Sequence, residues 1–232
     1  MSLLWVHVPE LVDEARIALP PEEIRHVVSR RLREGDELVA FDGAGATATG
    51  RIERLSKRTV EIRLGTVERD PPPPMRFGLA AAIPKGERLA AMLPMLIQLG
   101  LEVWQPLILA ESVVRSLDPE GARLRRIGIE SCKVARRPWR MRIRPPISLE
   151  EALDGRMGEA TLFFGDRLGA RGGLDPAPAW VFIGPEAGFS EDERRALAAA
   201  GAQPRCFGPH NLRIETAAVA ATVLCLQGHC NR

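Results

Sequence analysis

Residues 181–193, VFIGPEAGFSEDE, read as an apolar strand, a glycine turn and the first turn of a helix. An apolar strand running through glycines into a helix is a common frame for nucleotide sites, with phosphate seated on the helix N-terminus. Here three carboxylates, Glu191, Asp192 and Glu193, already occupy the positive end of the dipole, and Ser190 with Glu193 has the spacing of a capping box. A phosphate brought there meets like charge. The chain also lacks the patterns G-x-x-x-x-G-K-[ST] and G-x-G-x-x-G and has no lysine after Lys133. The turn therefore serves something other than a triphosphate or a dinucleotide.

Two further stretches end in the same way. Phe163-Phe164-Gly165, Phe182-Ile183-Gly184 and Cys206-Phe207-Gly208 are each two apolar or near-apolar residues followed by glycine and a polar loop. In a parallel sheet such ends share one edge, where ligands bind, and glycine there lets a ligand approach the backbone. Glycine also simply ends strands, but three successive instances point to a shared site. With Glu186 in the second loop and acids behind it, the site suits a ligand with a flat adenine-like part and a cationic centre. In the third loop Asn211 and Arg213 precede a run of Ala, Val, Thr and Leu. A helix apolar on most faces is buried, in a core or against another subunit.

The elements that must position these loops fall into two groups. Four consecutive prolines, Pro71–Pro74, favour a stiff extended connector, so residues 1–70 are expected to form one domain and 75–232 another. Upstream, LLWVHV, ELVAFDG and ATGRIERLSKRTVEIRLGTVER read as strands with a turn at Ser56–Arg58. One helix, PPEEIRHVVSRRL, has proline and acids at its start and arginines at its end. This predicts a small barrel, serving either as a nucleic-acid adaptor or as a stability or dimerisation module. Downstream, strands alternate with helices, as in an α/β unit with a largely parallel sheet. Pro94 within the helix GERLAAMLPMLIQLG predicts a kink or break, and a further helix is expected from SLEEAL.

With 45% hydrophobic and 27% charged residues, the 232-residue chain has the composition of an ordinary folded soluble protein. No apolar run of membrane-spanning length occurs, and the start MSLLWVHVPE lacks the marks of a signal peptide. The four cysteines are irregularly spaced, which argues against a zinc site or disulfide framework and fits free thiols in a reducing cytoplasm. His229 beside Cys230 reads as a polar tail rather than half a metal site. Net charge is only +2, but residues 115–144 carry 10 Lys/Arg against 3 Asp/Glu. Within them RRPWRMRIR, 136–144, holds five arginines and one tryptophan, with arginines alternating with Met141 and Ile143 as on a strand with one charged face. Arg136, Arg140, Arg142 and Arg144 are candidates for phosphate contact and Trp139 for stacking on a base; the alternative is a solvated strand face with a core tryptophan.

GPEAGFS followed by LRIETAA resembles the SPOUT methyltransferases, and more closely the bacterial small-subunit ribosomal RNA uracil-N3 methyltransferases, whose motifs read GPEGG[LF]S and LRxETA. RHVVSRRLREGDELVAFDGAG is similar to that family's PUA-like barrel, with Arg31 at a family arginine, and IPKGERL matches the start of its methyltransferase domain. The resemblance implies a trefoil-knotted α/β domain, which sequence patterns do not reveal because true knots are very rare. It implies S-adenosylmethionine held by three loops: Phe164 and Gly165; Gly184, Pro185, Glu186 and Gly188; and Phe207, Gly208, Asn211, Leu212, Arg213 and Thr216. Two stretches depart from the family: Pro94–Gln98 is apolar where QKxTE is usual, and Cys132–Arg136 keeps only the arginine of EQSGR.

For uridine N3, a base must be unpaired or extruded and an imide proton must leave. Arg213 is the candidate for stabilising the developing anion and Glu215 the candidate base. Otherwise Arg213 holds substrate phosphate, and Glu215 caps its helix or binds the donor's ammonium. Ribosomal RNA or the small subunit is the implied partner, and a homodimer through the apolar helix after Arg213 is the implied assembly. Ribose 2′-O-methylation, and cofactor-dependent RNA binding without turnover, are the competing functions.

Overall fold

In the computed structural model, which describes residues 3–174 and 178–227, the chain divides into two compact units. The first comprises Met1–Pro73 and Ile129–Arg140, the second Pro74–Gly128 and Met141–Arg232. A contiguous division at the prolines thus misses one segment: Ile129–Arg140 groups with the first unit. His229 and Cys230 lie outside the described residues.

In the first unit, strands β1 (Leu4–His7), β2 (Arg16–Ala18), β3 (Glu37–Phe41), β4 (Ala46–Leu55), β5 (Val60–Leu64) and β6 (Glu68–Arg69) form one sheet with helix α1 (Pro21–Ser29). The order is β1-β3-β4-β5-β2, with β6 on β4; β1 and β3 are parallel and the other pairs antiparallel. Alternation along β4 sends Ala46, Ala48 and Ile52 inward, where they meet Leu38, Ala40, Val60, Ile62 and Leu64. The expected turn joins β4 to β5, closed by the Ser56 N–H to the Thr59 carbonyl at 2.8 Å. Helix α1 starts on Pro21 with Glu22 and Glu23 in its first turn and buries Ile24 and Val27.

Helix α3 (Ala122–Ala135) contributes its C-terminal half to this unit. Lys133 Nζ donates to Glu23 at 2.5 Å and to Glu130 at 2.8 Å, and the first pair is almost wholly out of water. Burial raises the Glu23 carboxyl above its usual range, against the pull of Lys133. Beyond the helix, Gly45 N–H donates to the Pro138 carbonyl and Arg140 N–H to the Gly43 carbonyl, at 3.2 and 3.0 Å. Gly45 has φ +98°, and a Cβ there would lie 2.5 Å from the Trp139 ring, so only glycine permits this approach.

In the second unit the strands are β7 (Phe77–Ala82), β8 (Val103–Ile108), β9 (Arg142–Ile143), β10 (Ile147–Ser148), β11 (Thr161–Ala170), β12 (Ala179–Ile183) and β13 (Gln203–Arg205). Their order is β10-β8-β7-β12-β11-β13, with β9 on β8, and the pairs are parallel throughout. β7 and β12 are buried along their whole length, as central parallel strands covered on both faces must be. Helices α2 (Glu87–Gln98), α5 (Glu191–Ala199) and α6 (Ile214–Gln227) complete the unit.

Two expectations are corrected. No break occurs at Pro94: α2 continues through it, with Leu93, Leu96 and Ile97 buried, and burial of that face outweighs the lost hydrogen bond. Burial of Leu96 and Ile97 accounts for part of the apolar departure at 94–98; Met95, 39% exposed, has no structural explanation. The helix expected from SLEEAL is only α4 (Leu149–Glu151), capped by Ser148 and Glu151, and the wider π-type turn after it leaves helical geometry at Asp154 and at Gly155, whose φ is +73°. Among the described residues no helix is long and apolar enough to cross a membrane.

Candidate active site

Because β12, β11 and β13 are parallel neighbours, their C-terminal ends open on one edge of the sheet. There the three glycine loops enclose a cavity of about 530 Å³. Each loop is built differently. β11 does not end at Gly165: it pairs with Arg205 there and again at Ala170, so Asp166–Gly169 bulges outward as the first loop. The second loop closes with Gly188 N–H on the Pro185 carbonyl at 2.8 Å, Gly188 taking φ +82°. The third, from Phe207 to Leu212, leads into α6.

Gly165, Gly184, Pro185, Glu186 and Gly188 line this cavity, as do Phe207, Gly208, Asn211 and Leu212. Phe164 does not. It is buried beneath, edge-on to Phe189, with ring centroids 6.1 Å apart, and Phe189 reaches the cavity in its place. Thr216 is exposed and lies outside the lining. Arg213 faces a second, adjoining cavity of about 440 Å³, which shares Pro185 and Glu186 with the first. Glu215, on the first turn of α6, is half-buried, and its Oε2 is buried without a hydrogen-bond partner.

The acids at the start of α5 are largely structural. Ser190 Oγ accepts the Glu193 N–H at 3.3 Å, while Glu193 accepts the N–H groups of Ser190 at 2.7 Å and Ala110 at 2.8 Å. Glu186 is engaged too, accepting Arg88 at 2.6 Å. Sequence reasoning missed Asp166, Arg167, Arg194, Arg205 and His210, which also line the cavity. Asp166 is ion-paired with Arg194, and the Arg205 guanidinium stacks 4.9 Å above the Phe163 ring. The site is thus mixed in charge rather than acidic, with Asp166, Glu186 and Glu191 facing Arg167, Arg194 and Arg205. Such a lining, with Ile183, Phe189, Phe207 and Leu212 as apolar walls, fits a zwitterion with a flat aromatic part better than a polyanion. S-adenosylmethionine, with one carboxylate, an ammonium and a sulfonium, matches those features.

Of the basic candidates in the first unit, Arg31, Arg136 and Arg140 are exposed. Arg31, one residue past the cap of α1, and Arg136, directly after α3, have φ +57° and +52°, a left-handed position usually given to glycine. Trp139 is half-buried on Gly45 with its indole N–H buried, which favours packing over base stacking. In the second unit Arg142 is exposed on β9 and Met141 is buried. The charged face ends there, since Arg144 turns back over the Trp180 ring at 5.3 Å.

An RNA methyltransferase domain family matches residues 71–226, and an RNA methyltransferase PUA domain family matches residues 19–65. The chain belongs to this RNA methyltransferase family. A ribosomal RNA small subunit methyltransferase E from Synechocystis is 27% identical over 95% of this chain and 76% of its own length. The protein of the same name from Mycobacterium bovis is 30% identical over 95% and 90%. Among solved structures, a ribosomal RNA small subunit methyltransferase E from Neisseria gonorrhoeae bound to S-adenosylmethionine superposes with TM-score 0.83 at 29% identity, covering 98% of each chain. A Legionella pneumophila structure with bound S-adenosylmethionine gives TM-score 0.82 at 28% identity, again over 98% of each chain.

The fold is that of a SPOUT-type α/β methyltransferase domain with an N-terminal PUA domain. Its chain course agrees: β13 lies at the sheet edge beside β11, yet α6 returns to pack on α2, β7 and β12 at the centre.

Proposed function

We propose that this enzyme methylates N3 of a uridine in small-subunit ribosomal RNA, using S-adenosylmethionine, in the cytoplasm. One observation carries the reading: three glycine loops enclose a mixed-charge cavity, and Arg213, from the same segment as Asn211 and Leu212, faces the cavity beside it. Gly165, Gly184, Gly188 and Gly208 would present backbone to the cofactor, Phe207 and Leu212 would wall its base, and Glu186 would face its cationic end. S-adenosylmethionine, when bound, supplies an electrophilic methyl carbon. The chain's own work is on the uracil. Arg213 stabilises negative charge on the base oxygens as N3 loses its proton, and Glu215, two positions further on, is the proposed acceptor of that proton. Holding N3 in line supplies much of the remaining rate. Arg31, Arg136, Arg140 and Arg142 are proposed to contact RNA phosphates.

A homodimer through α6 belongs to the same reading. Ala218, Ala221, Thr222 and Cys225 are buried in the unit's own core, whereas Val219, Ala220, Val223, Leu224 and Leu226 stay partly accessible. That apolar second face favours a self-complementary contact.

Nucleoside mass spectrometry of ribosomal RNA from a strain lacking the gene tests the function. Loss of 3-methyluridine is expected; loss of a ribose methyl would move the target to the 2′-oxygen, and an unchanged nucleoside profile would overturn catalysis on ribosomal RNA.

A further inference from the structure

The second cavity differs in charge from the first. Lys85, Arg88 and Arg213 line it against the single carboxylate of Glu186, while the first sets three carboxylates against three arginines. Lys85 and Arg88 flank the start of α2, and Ser112 and Val113 come from the loop after β8. Arg88 is held at 2.6 Å by Glu186 on the shared wall, so its guanidinium is fixed beside the cofactor cavity rather than free to swing. Lys85 is exposed, with no carboxylate within ion-pairing distance among the described residues. The rest of the lining is apolar: Ala82, Ile83, Val113, Pro185 and Ile214. Val113 is 73% exposed, an unusual placement for a valine unless something else covers it. Cations around an apolar slot of about 440 Å³ suit a ligand that is part anion and part flat ring.

We propose that this second cavity receives the target nucleotide of the RNA, with Lys85 and Arg88 holding its phosphate and Val113 and Ile214 its base. The inference rests on the proposed function for the identity of the base, but not for the binding of a nucleotide. The contrast between the cavities sorts the two ligands: the polyanion enters where cations are in excess, and the zwitterion enters where charges balance. Lys85 and Arg88 are positioning residues, since a phosphate contact fixes register without taking part in bond making. Arg213, on the wall of the same cavity, faces the base.

Lys85→Ala is the cleanest test, because it breaks no ion pair. Binding of small-subunit ribosomal RNA to the full-length protein is measured across salt concentrations, together with methylation kinetics and S-adenosylmethionine affinity by calorimetry. The slope of log affinity against log salt should fall by about one relative to wild type. KM for RNA should rise roughly tenfold with kcat at saturating RNA retained, cofactor affinity should be unchanged, and Lys85→Arg should restore the slope. An unchanged slope and KM would overturn the assignment. Loss of cofactor affinity in both Lys85→Ala and Lys85→Gln would also overturn it, placing Lys85 in the cofactor site or the fold. If wild-type protein forms no 3-methyluridine while Lys85→Ala still lowers the slope, the proposed methylation position fails and the nucleotide cavity stands.

Discussion

Arg213 is the residue proposed to act on the uracil, and its position separates two roles that sequence proximity merges. Asn211 and Leu212 line the proposed cofactor cavity, while Arg213, one residue on, faces its neighbour. Arg213→Ala should therefore lower kcat about 100-fold to 1,000-fold, the usual cost of one lost group that stabilises developing anionic charge. S-adenosylmethionine affinity, read by calorimetry, should stay within a few-fold of wild type. A comparable loss in cofactor affinity would return Arg213 to the cofactor-binding role implied by resemblance. At the same scale, burial pushes the Cys132 thiol up to about 11 and that of Cys225 up to about 12, which withholds their thiolates at neutral pH.

At the scale of elements, a buried charge pair is one of the links between the second half of α3 and the first unit. Lys133 and Glu23 side chains are 8% and 2% exposed. Removing one partner strands the other charge in a low-dielectric setting, whereas replacing both with apolar groups of similar size is often neutral or stabilising. Lys133→Ala should thus destabilise the protein by about 3–5 kcal/mol, and Lys133→Met combined with Glu23→Leu should recover most of that loss, as read from denaturant midpoints. The same pair accounts for part of the departure at 132–135: Lys133 is committed to Glu23 and Cys132 to packing, while Val134, 71% exposed, has no structural explanation.

At the scale of the whole molecule, assembly depends on which face of α6 is spare. Ala221 is fully buried within its own unit, so a charged residue there would unfold the domain rather than separate subunits. Val223, 36% exposed, is the position that tests a second copy. Val223→Asp should convert a dimer into a folded monomer in sedimentation, with circular dichroism unchanged. Wild-type protein sedimenting as a monomer at micromolar concentration would remove the homodimer proposal. Because α6 follows the third cofactor loop directly, the monomer should also bind S-adenosylmethionine more weakly.

Local rules determined much of this protein before any coordinates. Proline and glycine punctuation marked the unit boundary and the three loops, period-two alternation marked β4, and the Ser190–Glu193 spacing marked a cap that the structure contains. Each depends on residues a few positions apart, where backbone sterics and hydrogen bonding decide the outcome. Other features needed the tertiary structure. Ile129–Arg140 joins the first unit through contacts far apart in sequence, among them Lys133 on Glu23, 110 positions away. The arginines that balance the proposed cofactor cavity come from the first loop, α5 and β13, and Arg88 reaches Glu186 across 98 positions. The long-range pairings that bring these groups together rest on packing and burial, and no local spacing encodes which distant charge will arrive.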